Sequence, residues 1–193
     1  MNNYKIILAS GSPRRKELLE LMGIKDYEII VSNIEENVDK NLTIEKQVEE
    51  LAYKKAKSVY DKTTGNRIII GSDTIVEKDN KIYGKPKDEK DAFNMLKNFS
   101  GSSLNVITSI AVLVNENGSF ISKVDYDITK VYINKLSDEE ISDWINTGEA
   151  LDKAGAFAIQ SKFAIHIEKI DGNYTTVIGL PVHKLYDILK DFI

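Results

Sequence analysis

Ser10-Gly11-Ser12-Pro13-Arg14-Arg15 puts two arginines in what reads as the first turn of a helix, because Ser12 is a good N-cap and Pro13 suits the first helical position. A helix N-terminus presents unpaired N–H groups and the positive end of the backbone dipole, so it favours anions and disfavours cations. Each arginine placed there costs about 0.3–1 kcal/mol if exposed. A bound phosphate reverses that sign: N–H donors, hydroxyls such as that of Ser10, and the guanidinium forks of Arg14 and Arg15 then converge on one anion. The competing reading is that the arginines are solvated or paired with Glu17 and Glu20. Spacing alone leaves both open.

Asp73 is the second chemical signal. It follows Ile68, Ile69, Ile70 and Gly71 and precedes Thr74, Ile75 and Val76, an otherwise apolar strand environment. A carboxylate there is costly unless a metal, a lysine or several donors satisfy it, and strand-end carboxylates in α/β folds commonly face the ligand cleft. The alternative is a turn-forming aspartate in Gly71-Ser72-Asp73-Thr74. Gly84-Lys85-Pro86 holds a lysine whose backbone is restricted by the proline that follows it, although a lone lysine is ordinarily a solvated one. Glu35-Glu36 suits either metal ligation or a charged loop. The sequence has no Gly-x-x-x-x-Gly-Lys-Ser/Thr loop, no Gly-x-Gly-x-x-Gly, no His-Glu-x-x-His and no Gly-x-Ser-x-Gly elbow.

The elements that must position these residues follow from periodicity and punctuation. Residues 4–9 read as a buried strand, followed by a helix whose Leu18, Leu19 and Met22 make an apolar face and whose end is marked by Gly23. Tyr27 to Val31 is a second short strand. Thr43 caps a helix with Val48, Leu51, Ala52, Ala56 and Val59 at helical spacing, and Lys54, Lys55 and Lys57 on or beside its other face. Ile68 to Val76 reads as a strand interrupted at Gly71-Ser72-Asp73-Thr74, with a hairpin turn at Asp79-Asn80. Asp88 caps a helix closed by Ser100-Gly101, and two long β-rich segments flank the turn at 115–118. Ser137 with Glu140 forms a capping box for a helix over 138–147. Strands are expected at Phe163 to Ile170 and Tyr174 to Ile178, with His166 on the solvent side of the first, and Pro181 introduces a last helix that His183 opens. Interspersed helices and strands of both connection types predict an α/β fold around a mixed sheet.

The 193 residues suffice for one substantial domain, or two lobes sharing a sheet, without staples. The absence of cysteine excludes disulfides and a thiol nucleophile and fits a reducing, cytoplasmic setting; two histidines exclude a histidine-rich metal site. The opening Met-Asn-Asn-Tyr-Lys and the short apolar run after it do not make a signal peptide, and no segment approaches the roughly 18 apolar residues of a membrane span. A formal charge of −4 argues against nucleic acid as a partner. Oxygen donors without histidine or cysteine point any metal towards hard ions, Mg²⁺ or Mn²⁺.

Taken together, Leu8 to Arg15, Gly71-Ser72-Asp73-Thr74, Gly84-Lys85-Pro86, Leu96 through Gly101, Asp152-Lys153-Ala154-Gly155-Ala156-Phe157-Ala158-Ile159-Gln160 and Gly179-Leu180-Pro181 resemble the Maf family from end to end. The resemblance implies a single domain over 1–193, with two α/β lobes around a long mixed sheet like that of the inosine triphosphate pyrophosphatases, and an active site in the cleft between the lobes. It implies a metal-dependent nucleoside triphosphate pyrophosphatase that cuts dTTP and UTP to monophosphate and pyrophosphate and clears unwanted or modified pyrimidine nucleotides. By resemblance, Asp73 is the general base or metal-bound carboxylate and Glu36 the accessory carboxylate. Arg14, Arg15, Lys55 and Lys85 handle phosphate, Ser10 belongs to the same substrate-binding segment, and Thr74 and Gln160 read the base. Two positions depart from the family pattern: Leu104 where a histidine is usual and Ser161 where glycine is usual. A nucleotide sensor linked to septum formation and a phosphatase releasing inorganic phosphate are the alternatives, and a homodimer is left open.

Overall fold

The computed structural model describes residues 4–193, so the Met1-Asn2-Asn3 start of the segment read against a signal peptide lies outside the described residues. The strands are β1 (Lys5–Leu8), β2 (Glu28–Ile29), β3 (Arg67–Lys78), β4 (Lys81–Tyr83), β5 (Ser103–Glu116), β6 (Ser119–Ile133) and β7 (Ile167–Asp171); the helices are α1 (Pro13–Leu21), α2 (Ile44–Tyr60), α3 (Glu89–Phe99), α4 (Asp138–Ile145), α5 (Tyr174–Ile178) and α6 (Val182–Leu189). Sheet order is β2-β1-β3-β5-β6-β7, with β4 on β3. β1 runs parallel to β2 and β3, whereas β3–β4 and β6–β7 are antiparallel, so the sheet is mixed as expected. Among the described residues no helix is long and apolar enough to cross a membrane.

The chain divides into two compact units. The first comprises Met1–Asp73, Thr108–Asp127 and Gly179–Ile193, and the second Thr74–Ile107 and Ile128–Ile178. The first unit packs α2 on the sheet: Ala52, Ala56 and Val59 meet Ile7, Ala9, Ile69, Ala111 and Leu113 in one buried cluster. The 3.6-residue spacing of Val48, Leu51, Ala52, Ala56 and Val59 is the buried stripe that sequence periodicity gives. The second unit has its own core, in which Leu96 and Phe99 of α3 and Ile141 and Trp144 of α4 gather with Val131, Phe157 and Phe163. Its caps follow the sequence: Asp88 accepts from Asp91 N–H, and the Ser137/Glu140 box closes in both directions.

Three local expectations are overturned. Gly71-Ser72-Asp73-Thr74 does not interrupt the strand, because β3 runs unbroken from Arg67 to Lys78. Tyr174–Ile178 is a helix although Thr175, Thr176 and Val177 favour strands, because Asn173 caps it: its Oδ1 accepts from Thr175 N–H at 2.9 Å and from Thr175 Oγ1 at 2.6 Å. Lys162–His166 is a 3₁₀ turn rather than strand, with Ser161 Oγ accepting from Phe163 N–H. His166 therefore ends a turn, its ring edge-on to Phe163 at 5.3 Å.

Candidate active site

In the first unit, α1 starts after Ser12 in extended backbone, and the Ser12 side chain makes no cap hydrogen bond. The Ser10 hydroxyl is engaged instead, accepting from Ser12 N–H at 3.2 Å and from Arg15 Nη1 at 3.1 Å. Arg15 Nε donates to the Gly179 carbonyl at 2.8 Å, and the same oxygen accepts from Ser72 Oγ at 3.0 Å. Burial pulls the Arg15 pKa below its ordinary value; Asp73 and Glu36 oppose that shift and Arg14 adds to it, so these four charges share one neighbourhood. The guanidinium nevertheless remains a fixed positive charge. Its planar fork is held at two of its nitrogens, which orders it before any ligand arrives.

Lys55 is the centre of the second group. Its Nζ lies 2.5 Å from Asp73 Oδ1 and 2.7 Å from Glu36 Oε1. The lysine side chain is only 13% exposed and that of Asp73 8%, whereas Glu36 reaches in from an exposed loop. Lys55 thus satisfies the carboxylate that the apolar strand made costly. Lys54 ties the same loop down by donating to the Asn37 carbonyl at 2.8 Å. The approach of α2 to β3 that permits this depends on Gly71: a Cβ there would stand 2.5 Å from the Ala52 carbonyl oxygen and 2.8 Å from the Ala56 nitrogen. Gly71 and Asp73, two residues apart, share one face of β3, and Ala52, Lys55 and Ala56 share one face of α2.

The second unit holds Thr74, Lys85 and Gln160. Lys85 Nζ pairs with Asp152 Oδ1 at 3.0 Å, and the Gly155 N–H donates to the Gly84 carbonyl at 2.9 Å, so two segments far apart in sequence are fastened together. Gly155 has φ +67°, and an added Cβ would meet Val76 Cγ2 at 2.9 Å. The carbonyl of the following Ala156 accepts from the buried Trp144 Nε1 at 2.7 Å. Thr74 is half-buried within β3, and Gln160 is exposed on the turn before Ser161.

Residues 5–192 match the family described as Maf-like protein. The chain belongs to the Maf family. It is 49% identical over 187 residues to a protein of Thermoanaerobacter sp. strain X514, a match covering 96% of this chain and 95% of the relative, and 48% identical to one of Alkaliphilus oremlandii over 97% and 95%. A protein of Acetivibrio thermocellus is 47% identical over 97% of this chain and 95% of its own. Each of these relatives bears the name dTTP/UTP pyrophosphatase. A solved nucleoside-triphosphatase / dITP/XTP pyrophosphatase of Mycobacterium abscessus aligns at 17% identity over 68% of this chain and 75% of its own with a TM-score of 0.40, a likeness too loose to decide anything.

The two departures from the Maf pattern have plain structural readings. Leu104 is 2% exposed in the core of the second unit, where it packs as a core residue. Ser161 caps the 3₁₀ turn after Gln160 and its hydroxyl donates to the Ala158 carbonyl, which braces the turn that glycine would leave freer. Sequence reasoning had no role for Ser72, the Gly179 carbonyl or Asp152. Only their place inside the Maf-like segments marked them. Among the described residues no cluster of three or more histidine, cysteine, aspartate or glutamate side chains forms, so a metal would find two carboxylates, Asp73 and Glu36, with Lys55 between them. Carboxylate oxygens are donors that would suit a hard divalent ion, Mg²⁺ or Mn²⁺.

Proposed function

We propose that this chain hydrolyses dTTP and UTP to the nucleoside monophosphate and pyrophosphate. The observation that carries the reading is Lys55 held by a nearly buried Asp73 and by Glu36, in the unit that also fixes Arg15 by two of its nitrogens. A lysine and arginines beside paired carboxylates is the equipment of phosphoryl chemistry, where catalysis is mostly positioning and neutralisation of charge. The names of relatives 47–49% identical over nearly the whole chain point to the same substrates.

In this mechanism a water oxygen attacks the α-phosphorus. The bond from that phosphorus to the oxygen bridging to the β-phosphate breaks, and pyrophosphate leaves with the bridging oxygen. Asp73 is assigned as the base that takes the water's proton, its low exposure keeping bulk water from competing. Arg14, Arg15, Lys55 and Lys85 stabilise the charge that grows on the leaving group, with Ser10 orienting Arg15. Lys55 exchanges its carboxylate partners for phosphate oxygens when substrate enters. Asp73 and Glu36 would hold a divalent ion, Mg²⁺ or Mn²⁺, which when bound polarises phosphate oxygens. Thr74 and Gln160 are assigned to the base, since a glutamine amide both donates to a uracil carbonyl and accepts from its N3–H. A role on free nucleotides, with no cysteine in the chain, fits the cytoplasm.

Incubating the protein with dTTP and Mg²⁺ and measuring pyrophosphate and inorganic phosphate separately tests the proposal. Equal amounts of dTMP and pyrophosphate are expected. Release of inorganic phosphate instead, or binding without turnover, overturns it in favour of a phosphatase or a sensor.

A further inference from the structure

Ser72 is fully buried, and its hydroxyl donates to the Gly179 carbonyl at 3.0 Å. That carbonyl also takes the Arg15 Nε–H at 2.8 Å, so both donors converge on one oxygen. Gly179 has φ +118°, a backbone conformation that side-chain-bearing residues rarely adopt, so the oxygen's direction is set by a residue for which substitutes are strained. Ser72 precedes Asp73 in β3, and successive strand residues point to opposite faces. One step of β3 therefore serves two groups. On one face Asp73 meets Lys55, and on the other Ser72 fixes the carbonyl that aims the Arg15 guanidinium.

From this arrangement we infer that Ser72 is a positioning residue for phosphate binding, acting through the Gly179 carbonyl on Arg15. The inference rests on the proposed pyrophosphatase activity and names how its guanidinium is registered with its carboxylate. Without the Ser72 hydroxyl the carbonyl keeps one donor and loses the other, and the peptide is free to tilt. The Arg15 fork then loses direction rather than charge. The cost falls on binding the departing pyrophosphate end of the substrate, and it exists only while Arg15 is present.

The test is a double-mutant cycle of Ser72→Ala with Arg15→Ala, read as kcat/KM for dTTP and as pyrophosphate affinity by calorimetry. Ser72→Ala in the wild-type background is expected to lower kcat/KM roughly tenfold, about one hydrogen bond's worth, and to weaken pyrophosphate in proportion. In the Arg15→Ala background the same change is expected to cost less than about twofold. Ser72→Cys, near in size but a poor donor, is expected to match Ser72→Ala and covers the case in which the alanine variant does not fold. Equal losses in both backgrounds, or a Ser72→Cys protein with wild-type kinetics and pyrophosphate affinity, overturn the inference while leaving the activity standing. A wild-type protein that neither cleaves dTTP nor binds pyrophosphate overturns both.

Discussion

Gly71→Ala tests the packing on which the carboxylate–lysine pair depends. The added Cβ would lie 2.5 Å from the Ala52 carbonyl oxygen, 2.8 Å from the Ala56 nitrogen and 2.9 Å from the Ala56 Cβ. Ordinary carbon–oxygen contact begins near about 3.3 Å, so α2 and β3 must separate by roughly 1 Å. The nearest two atoms are backbone, which no rotamer change can move aside. Overpacking of this kind costs about 1–3 kcal/mol, which in a domain of this size lowers Tm by roughly 2–12 °C. The larger effect is expected on turnover. Lys55 lies on the same turn of α2 as Ala52 and Ala56, so the separation opens its 2.5 Å contact with Asp73. A displacement of that size in a catalytic constellation costs about 10²-fold in rate. Differential scanning fluorimetry and pyrophosphate release from dTTP, assayed well below the variant's Tm, separate the two losses. A companion variant, Gly71→Ala with Ala56→Gly, removes only the Cβ contact and is expected to restore little. Near-wild-type turnover for Gly71→Ala, or full rescue by Ala56→Gly, would refute the reasoning.

Asp73→Asn is expected to fold and to lose most turnover, and a variant with a near-wild-type rate removes Asp73 as the base. Chelation by EDTA is expected to abolish dTTP cleavage and added Mg²⁺ or Mn²⁺ to restore it, because the candidate donors are carboxylate oxygens; full activity in EDTA contradicts the metal assignment. Gln160→Ala is expected to slow dTTP and UTP more than CTP, narrowing a preference worth roughly 1–3 kcal/mol per mismatched group. An unchanged kcat/KM ratio sinks its role in base reading. Gly155→Ala combines strain at φ +67° with a 2.9 Å approach to Val76 and is expected to lower Tm clearly, read by fluorimetry; an unshifted melt contradicts the close packing.

Where the fold was legible, one local signal decided each element. The stripe from Val48 to Val59, the Ser137/Glu140 box and the Asp79-Asn80 turn, with φ of 54° and 59°, need no partner elsewhere in the chain to take their form. Tyr174–Ile178 was illegible because its form is set at a distance. Thr129 Oγ1 accepts from Asn173 N–H at 2.8 Å and donates to the Asn173 carbonyl at 3.0 Å, while Gly172 at φ +130° turns the chain against Thr129. That grip lets Asn173 cap a helix in a segment whose β-branched residues favour strand.

The candidate site was legible in its charges and illegible in its supports, and β3 shows why. Glycine, serine, aspartate and threonine in succession are the vocabulary of turns, so sequence breaks the strand there. In the fold each of the first three is small or polar for a separate tertiary reason. Gly71 admits α2, Ser72 holds the Gly179 carbonyl in the segment before α6, and Asp73 meets Lys55. Larger apolar residues would extend the strand better by propensity and would remove all three contacts. The run therefore reads as a turn for the same reason that it packs closely in the sheet: a strand gives up local preference where its neighbours must come close. A strand in which only one of these positions is restored to β preference, as in Gly71→Val, is expected to gain nothing in stability despite the better strand former, because the Ala52 carbonyl stands where the side chain would begin. A Gly71→Val protein that melts above wild type would show that propensity, and not packing, sets this segment.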